Sequence, residues 1–115
     1  MISQIIKKIE KCHYWDARLL KLECNYFGDE VSLCLGDKII EYEFHFISCF
    51  DVEIKHAYQY HKETSYRELK ISQIPFFIHD IKLKEKEILE EKYLEFFIEA
   101  SPLSLKIVCK RFEIL

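Results

Sequence analysis

Hydrophobic residues recur along this chain with two different periods. In the first dozen residues Ile5, Ile6 and Ile9 follow Ser3 at helical spacing, and Lys7, Lys8 and Lys11 fill the rest. That stripe predicts an amphipathic helix over about residues 3–12, with lysines placed to suit the dipole of its last turn. So short a helix is unstable alone in water and must dock on something.

From Ala17 the period drops to two. Leu20, Leu22, Cys24 and Tyr26 alternate with Lys21, Glu23 and Asn25, and Val31, Leu33 and Leu35 alternate with Ser32 and Cys34. Ile40, Tyr42, Phe44 and Phe46 then alternate with Glu41, Glu43 and His45. Phe27-Gly28-Asp29 and Gly36-Asp37-Lys38 supply turn chemistry between these runs, which predict an antiparallel meander with one wet face. After Phe46 the alternation slips. Ile47, Cys49 and Phe50 crowd together before Val52 and Ile54 resume, the mark of a bulge or strand bend.

Residues 56–70 hold few aliphatics and predict a loop with some helix, and a connection that long is often functional. Ile74, Phe76, Ile78, Ile81 and Leu83 read as strand again, with Pro75 at a strand start or sheet edge. Residues 84–92 form a charge-dense crossing with room for one helical turn. Leu94, Phe96, Ile98 and Ala100 lead through Ser101-Pro102 into Leu103, Leu105, Ile107 and Cys109, a closing hairpin. A phase change near Lys110-Arg111 brings Phe112 and Ile114 into the apolar series. The fold class is α+β, an N-terminal helix packed on a curved, mainly antiparallel sheet of about six strands.

Composition narrows the picture. A chain of 115 residues, half of them hydrophobic, builds one domain over 1–115. Its two glycines both fall in predicted turns, which leaves none for a phosphate-cradling loop. A net charge of −3 without a basic stripe argues against direct nucleic-acid binding. No apolar run approaches the ~20 residues of a membrane span, and the first residues lack a signal-peptide pattern, so the expected compartment is the cytoplasm. The five cysteines, Cys12, Cys24, Cys34, Cys49 and Cys109, are odd in number and irregular in spacing, which suits reduced packing residues better than a disulfide framework.

Few residues group in a way that carries chemistry. Cys12, His13 and Asp16 offer a thiol, a base and an orienting carboxylate, but a triad is defined by geometry rather than by adjacency in sequence. Asp16 bracing a turn and Trp15 packing explain the same stretch. His56, His61 and His79, or His45 with Cys49, lack the ligand spacing of a metal site. Glu41 with Glu43, and Glu95 with Glu99, share polar strand faces at a spacing a glycosidase could use, yet a solvated sheet face accounts for them. We therefore assign no catalytic residue, metal or cofactor. The acidic groups are more informative as a surface. Residues 41–53 hold Glu41, Glu43, Asp51 and Glu53 with no lysine or arginine, and residues 85–99 hold six glutamates against Lys86 and Lys92. Adjoining one another, these would attract a basic partner. Tyr58, Tyr60 and Tyr66, on the polar connection, resemble binding anchors. The candidate partner-binding residues are accordingly Glu41, Glu43, Asp51, Glu53, Tyr58, Tyr60, Tyr66, Glu95 and Glu99.

The segment Tyr14-Trp15-Asp16-Ala17-Arg18-Leu19-Leu20-Lys21-Leu22 resembles the aromatic-His-Asp-Ala-Arg opening of small bacterial sheet proteins encoded beside polymorphic toxins. Trp15 stands where histidine is common, and His13 lies two residues earlier. Residues 103–114, LSLKIVCKRFEI, are similar to the terminal hairpin strand of those proteins, and so is Ile78-His79-Asp80-Ile81-Lys82-Leu83 before it. The resemblance is to immunity proteins of contact-dependent inhibition and related toxin systems. It implies tight stoichiometric binding to a cognate toxin C-terminal domain, often a basic nuclease, without a catalytic residue or cofactor. Two other classes remain open: a curved sheet or barrel holding a small apolar ligand, and a hydrolase using Cys12 or Cys49 with a histidine.

Overall fold

Ile2–Glu10 form helix α1, close to the stretch that its isoleucines predict. Ile9 is buried, and Ile2 and Ile5 pack against the core beside it. The chain leaves the helix through Cys12 and Tyr14, both buried, and enters the sheet. The structure is a computed structural model that describes residues 2–36, 40–56, 76–100 and 103–115.

Six strands follow: β1 (Arg18–Asn25), β2 (Glu30–Gly36), β3 (Glu41–His56), β4 (Asp80–Ile88), β5 (Glu91–Ala100) and β6 (Leu103–Ile114). A 3₁₀ turn at Tyr26–Gly28 joins the first two. All neighbours are antiparallel, in the order β1-β2-β3-β6-β5-β4. The predicted α+β class and six-strand sheet are thus what the chain builds. Among the described residues no helix is long and apolar enough to cross a membrane.

One sheet face and α1 enclose the core. Val31, Leu33 and Leu35 of β2, Phe44 and Phe46 of β3, Phe96 and Ile98 of β5, and Leu105, Ile107 and Cys109 of β6 are all buried there. Phe46 meets Phe96 edge-on at 4.9 Å and Phe112 at 5.1 Å, so three strands share one aromatic cluster.

The two central strands change phase at matching heights. In β3, Ser48 takes a φ of 55°, and the register against β6 shifts between Cys49 and Asp51. In β6, Cys109 and Phe112 both face the core although they are three residues apart. The slip after Phe46 and the phase change at Lys110-Arg111 are therefore one corner of the sheet. Beyond it the sheet turns back towards its first strand. Phe76 accepts a hydrogen bond from the Leu19 N–H at 2.8 Å, and its ring lies 5.6 Å from that of His56 at the far end of β3.

Three local expectations are corrected. Residues 84–92 make no helical turn. They are the end of β4, a two-residue turn at Leu89 and Glu90, and the start of β5. Both turn residues have positive φ, 50° and 68°, which matches the twist a tight hairpin requires. In β1 the inward phase begins at Leu19, which is buried, because a bulge follows it. Cys24 and Tyr26, expected on the apolar face, are exposed where the sheet ends. The predicted 56–70 connection, with Tyr58, Tyr60, Tyr66 and His61, lies outside the described residues apart from His56, which closes β3.

Candidate functional site

The face of the sheet opposite the core is a lattice of charge. Register places Asp51, Val108, Glu95 and Lys84 in one row across β3, β6, β5 and β4. Glu53, Lys106, Phe97 and Lys82 form the next, and Lys55, Ser104, Glu99 and Asp80 the one after. Neighbouring positions in a row are about 4.8 Å apart, close enough for side chains to pair.

Most of them do. Lys106 Nζ lies 3.3 Å from Asp51 and 3.6 Å from Glu53, and the hydrogen bond to Asp51 is the chief reason its ammonium is held above the usual lysine range. One lysine thus serves two carboxylates, and the trio keeps a net negative charge. Ser104 Oγ donates to Glu99 at 2.7 Å. Lys110 approaches Glu91 at 3.1 Å, a pairing that lowers the Glu91 carboxyl.

Glu95 differs from the other candidates because it is buried, at 3% exposure. Lys84 and Lys86 reach it at 3.3 and 3.2 Å. Burial pushes its carboxyl up, but hydrogen bonds from the two lysines outweigh that and hold it below the usual range. Glu95 is therefore a strut within the sheet face rather than a free charge. Glu41 and Glu43 lie apart from this lattice, at the start of β3 opposite Gly36 and Cys34 of β2. The structure thus gathers Asp51 and Glu53 with Lys106, seats Glu95 beside them, and leaves Glu41 and Glu43 on the other arm of the sheet.

The sequence pattern did not reveal a set of exposed aromatics at the corner. Tyr26 and Phe27 project from the 3₁₀ turn, and Phe50 projects from the β3 bulge and packs 5.6 Å from Tyr93. Alternation assigned Tyr26 to the buried face and treated Phe27 and Phe50 only as markers of a turn and a slip. Their signal was available in one respect: a large aromatic beside Gly-Asp, or at a broken alternation, has no inward position to occupy.

Four of the five thiols are wholly or partly buried, and Cys24 is exposed. All five cysteines are free. Burial pushes Cys109 up to about 12 and Cys49 up to about 11. Cys12 is buried, donates to the Lys8 carbonyl at 3.4 Å, and is likewise raised by burial. His13 and Asp16 beside it are exposed. Among the described residues no three His, Cys, Asp or Glu side chains converge as a metal site would require. Near that segment a cavity of about 380 Å³ is lined by Trp15, Arg18, Tyr42 and Phe77, among others, with the Arg18 guanidinium 4.7 Å over the Phe77 ring.

Residues 1–115 match the family model described as Immunity protein PIM7. No curated protein is significantly similar to the chain. Among solved structures, an uncharacterized protein from Neisseria gonorrhoeae superposes with a TM-score of 0.56 at 16% identity, covering 88% of this chain and 91% of that one. That likeness shows a shared fold.

Proposed function

Because the chain belongs to the Immunity protein PIM7 family, a group of immunity proteins of polymorphic toxin systems, we propose that it binds one cognate toxin domain in the cytoplasm and silences it by stoichiometric occlusion. The family match along the whole chain carries this reading. In it the toxin domain is a basic nuclease. Support comes from the carboxylates the chain exposes, Asp51, Glu53 and Glu99 on one arm of the sheet and Glu41 and Glu43 on the other, because complementary charge speeds encounter and selects the partner. Tyr58, Tyr60 and Tyr66, read from the sequence as binding anchors, belong to the same proposal. Occlusion needs no catalytic step, which accords with thiols raised by burial rather than activated.

The test is protection. Cells expressing the C-terminal domain of the toxin encoded beside this chain are scored for growth with and without the chain. Growth restored in proportion to the amount of chain supports the reading, and continued killing at excess chain overturns it. Nucleic acid recovered intact from protected cells and degraded in unprotected ones identifies a nuclease. A second reading, small-ligand carriage, draws on the cavity beside Trp15 and Arg18, whose size falls within the usual range of ligand sites. A ligand co-purifying in equimolar amount by native mass spectrometry would favour it.

A further inference from the structure

Resting on the reading of the chain as a toxin antagonist, we infer that its binding anchor is the aromatic-rimmed groove at the corner of the sheet. The occupant is a toxin segment that presents an apolar side chain flanked by lysine or arginine. The groove encloses about 710 Å³ between the end of β1 and the second half of β3, and Cys24, Tyr26, Phe27, Cys49, Phe50 and Ile54 line it.

Four observations converge there. The first is exposure. Phe27 is more open to solvent than in an extended chain, at 111%, and Phe50 is 59% exposed, with Tyr26 and Ile54 also open. A contiguous patch of large apolar side chains is uncommon on a free surface and marks an interaction site.

The second is conformation. Tyr26 and Phe27 have φ values of 52° and 59°, a left-handed backbone that bulky residues rarely adopt. The turn is nevertheless held in place. The Asp29 N–H donates to the Tyr26 carbonyl at 3.1 Å, and the Cys49 N–H donates to the Asp29 carbonyl at 2.8 Å. The rings are therefore presented from a pinned loop, which lowers the ordering cost of binding.

The third concerns the β3 edge. β2 pairs with β3 only from Glu41 to Ile47. Among the described residues no strand joins that edge between Phe50 and Lys55. Open backbone groups beside aromatic side chains suit a polypeptide segment better than a small apolar ligand.

The fourth is charge. Between Lys21 and Lys55 the chain holds eight carboxylates and a single lysine, Lys38. Asp29 lines the groove, while Asp51 and Glu53, next to Phe50 along β3, sit with Lys106 on the sheet face opposite the core. A basic flank on the partner is the complement of this rim.

Titration calorimetry with the purified C-terminal domain of the adjacent toxin decides the matter. Phe27→Ala and Phe50→Ala should each weaken the dissociation constant at least tenfold, as central aromatic anchors do. Leu89→Ala, which removes an exposed leucine on the β4–β5 turn, should change it less than about twofold. Unchanged thermal midpoints for the three variants would show that folding is not the cause. Tight wild-type binding that survives both aromatic substitutions overturns the groove and leaves the toxin reading intact. Absence of wild-type binding overturns the toxin reading itself. A dimer of the free chain that Phe27→Ala disperses would assign the groove to a second copy and overturn the inference.

Discussion

Replacing Lys84 and Lys86 together by methionine should reverse the role of Glu95 in stability. Both substitutions keep most of the side-chain length, although the Lys84 ammonium that sits 5.2 Å from the Phe97 ring centre goes with the charge. What is lost is two ammonium groups at 3.3 and 3.2 Å from the carboxylate of the buried Glu95. At an effective dielectric of ~20 each such contact amounts to about 5 kcal/mol before desolvation. Removing the carboxylate from water costs several kcal/mol in the other direction. The lysine side chains are 66% and 41% exposed, so solvent screens the attraction further. A net loss of about 2–3 kcal/mol at neutral pH follows, below the ~3–5 typical of fully buried pairs that lose a partner.

The pH dependence is the sharper signature. In the wild type the folded carboxyl sits below its unfolded value. Its stabilisation is therefore fully present above the unfolded pKa of about 4.3 and is lost as pH falls through the folded value. Without the lysines burial acts alone, the folded carboxyl rises above the unfolded one, and folding takes up a proton as pH falls. Urea unfolding across the range should show the wild-type advantage greatest at neutral pH and narrowing steadily below about pH 5. A gap that stays constant down to pH 4 would refute the assignment of Glu95 as a buried, ionised strut.

Three further outcomes follow from the same geometry. Phe46→Ala removes a fully buried ring that touches Phe96 and Phe112 and should cost about 3–5 kcal/mol in denaturant unfolding; a loss under about 1 kcal/mol would mean that the corner repacks freely. Iodoacetamide at mildly alkaline pH should label exposed Cys24 first and Cys109 only after denaturation, because the thiol pushed to about 12 is buried as well as protonated; equal rates by mass spectrometry would contradict this. Ser48→Gly relieves a φ of 55° and should raise the thermal midpoint, with a gain up to about 1 kcal/mol after the added unfolded-state entropy is subtracted; a drop would show that the serine side chain holds the corner.

The strands legible in the sequence were those with one face in the core. Val31, Leu33 and Leu35, or Leu94, Phe96 and Ile98, alternate cleanly because neighbouring strands flank them on both sides. Only the later part of β4, from Lys84, was obscured, because it is an edge strand. Only Ile81 and Leu83 pack inward, and its lysines and glutamates alternate with one another rather than with apolar residues. β1 was misphased only before its bulge, where Leu19 rather than Leu20 points inward, and Leu22 beyond it packs on the core as the alternation predicts. The corner was legible as a broken pattern, yet what it displays was not. Periodicity reports which residues can be hidden, and Phe27 and Phe50 stand where nothing covers them. Glu95 illustrates the converse, since a glutamate on a wet face reads as exposed until two lysines from the neighbouring strand close over it.

The place of β6 in the sheet has a consequence for timing. It lies between β3 and β5, although its residues are synthesised after those of every other strand. A ribosome that has not reached Leu103 therefore carries β1 to β3 on one side and the β4–β5 hairpin on the other, with no strand in common. The aromatic cluster lacks Phe112, and the corner has only one of its two bent strands. Pairings between positions so distant in the chain form slowly, and here they wait on translation as well. The sheet of a newly made copy can thus close only after residues 103–114 have been synthesised and have slotted between β3 and β5.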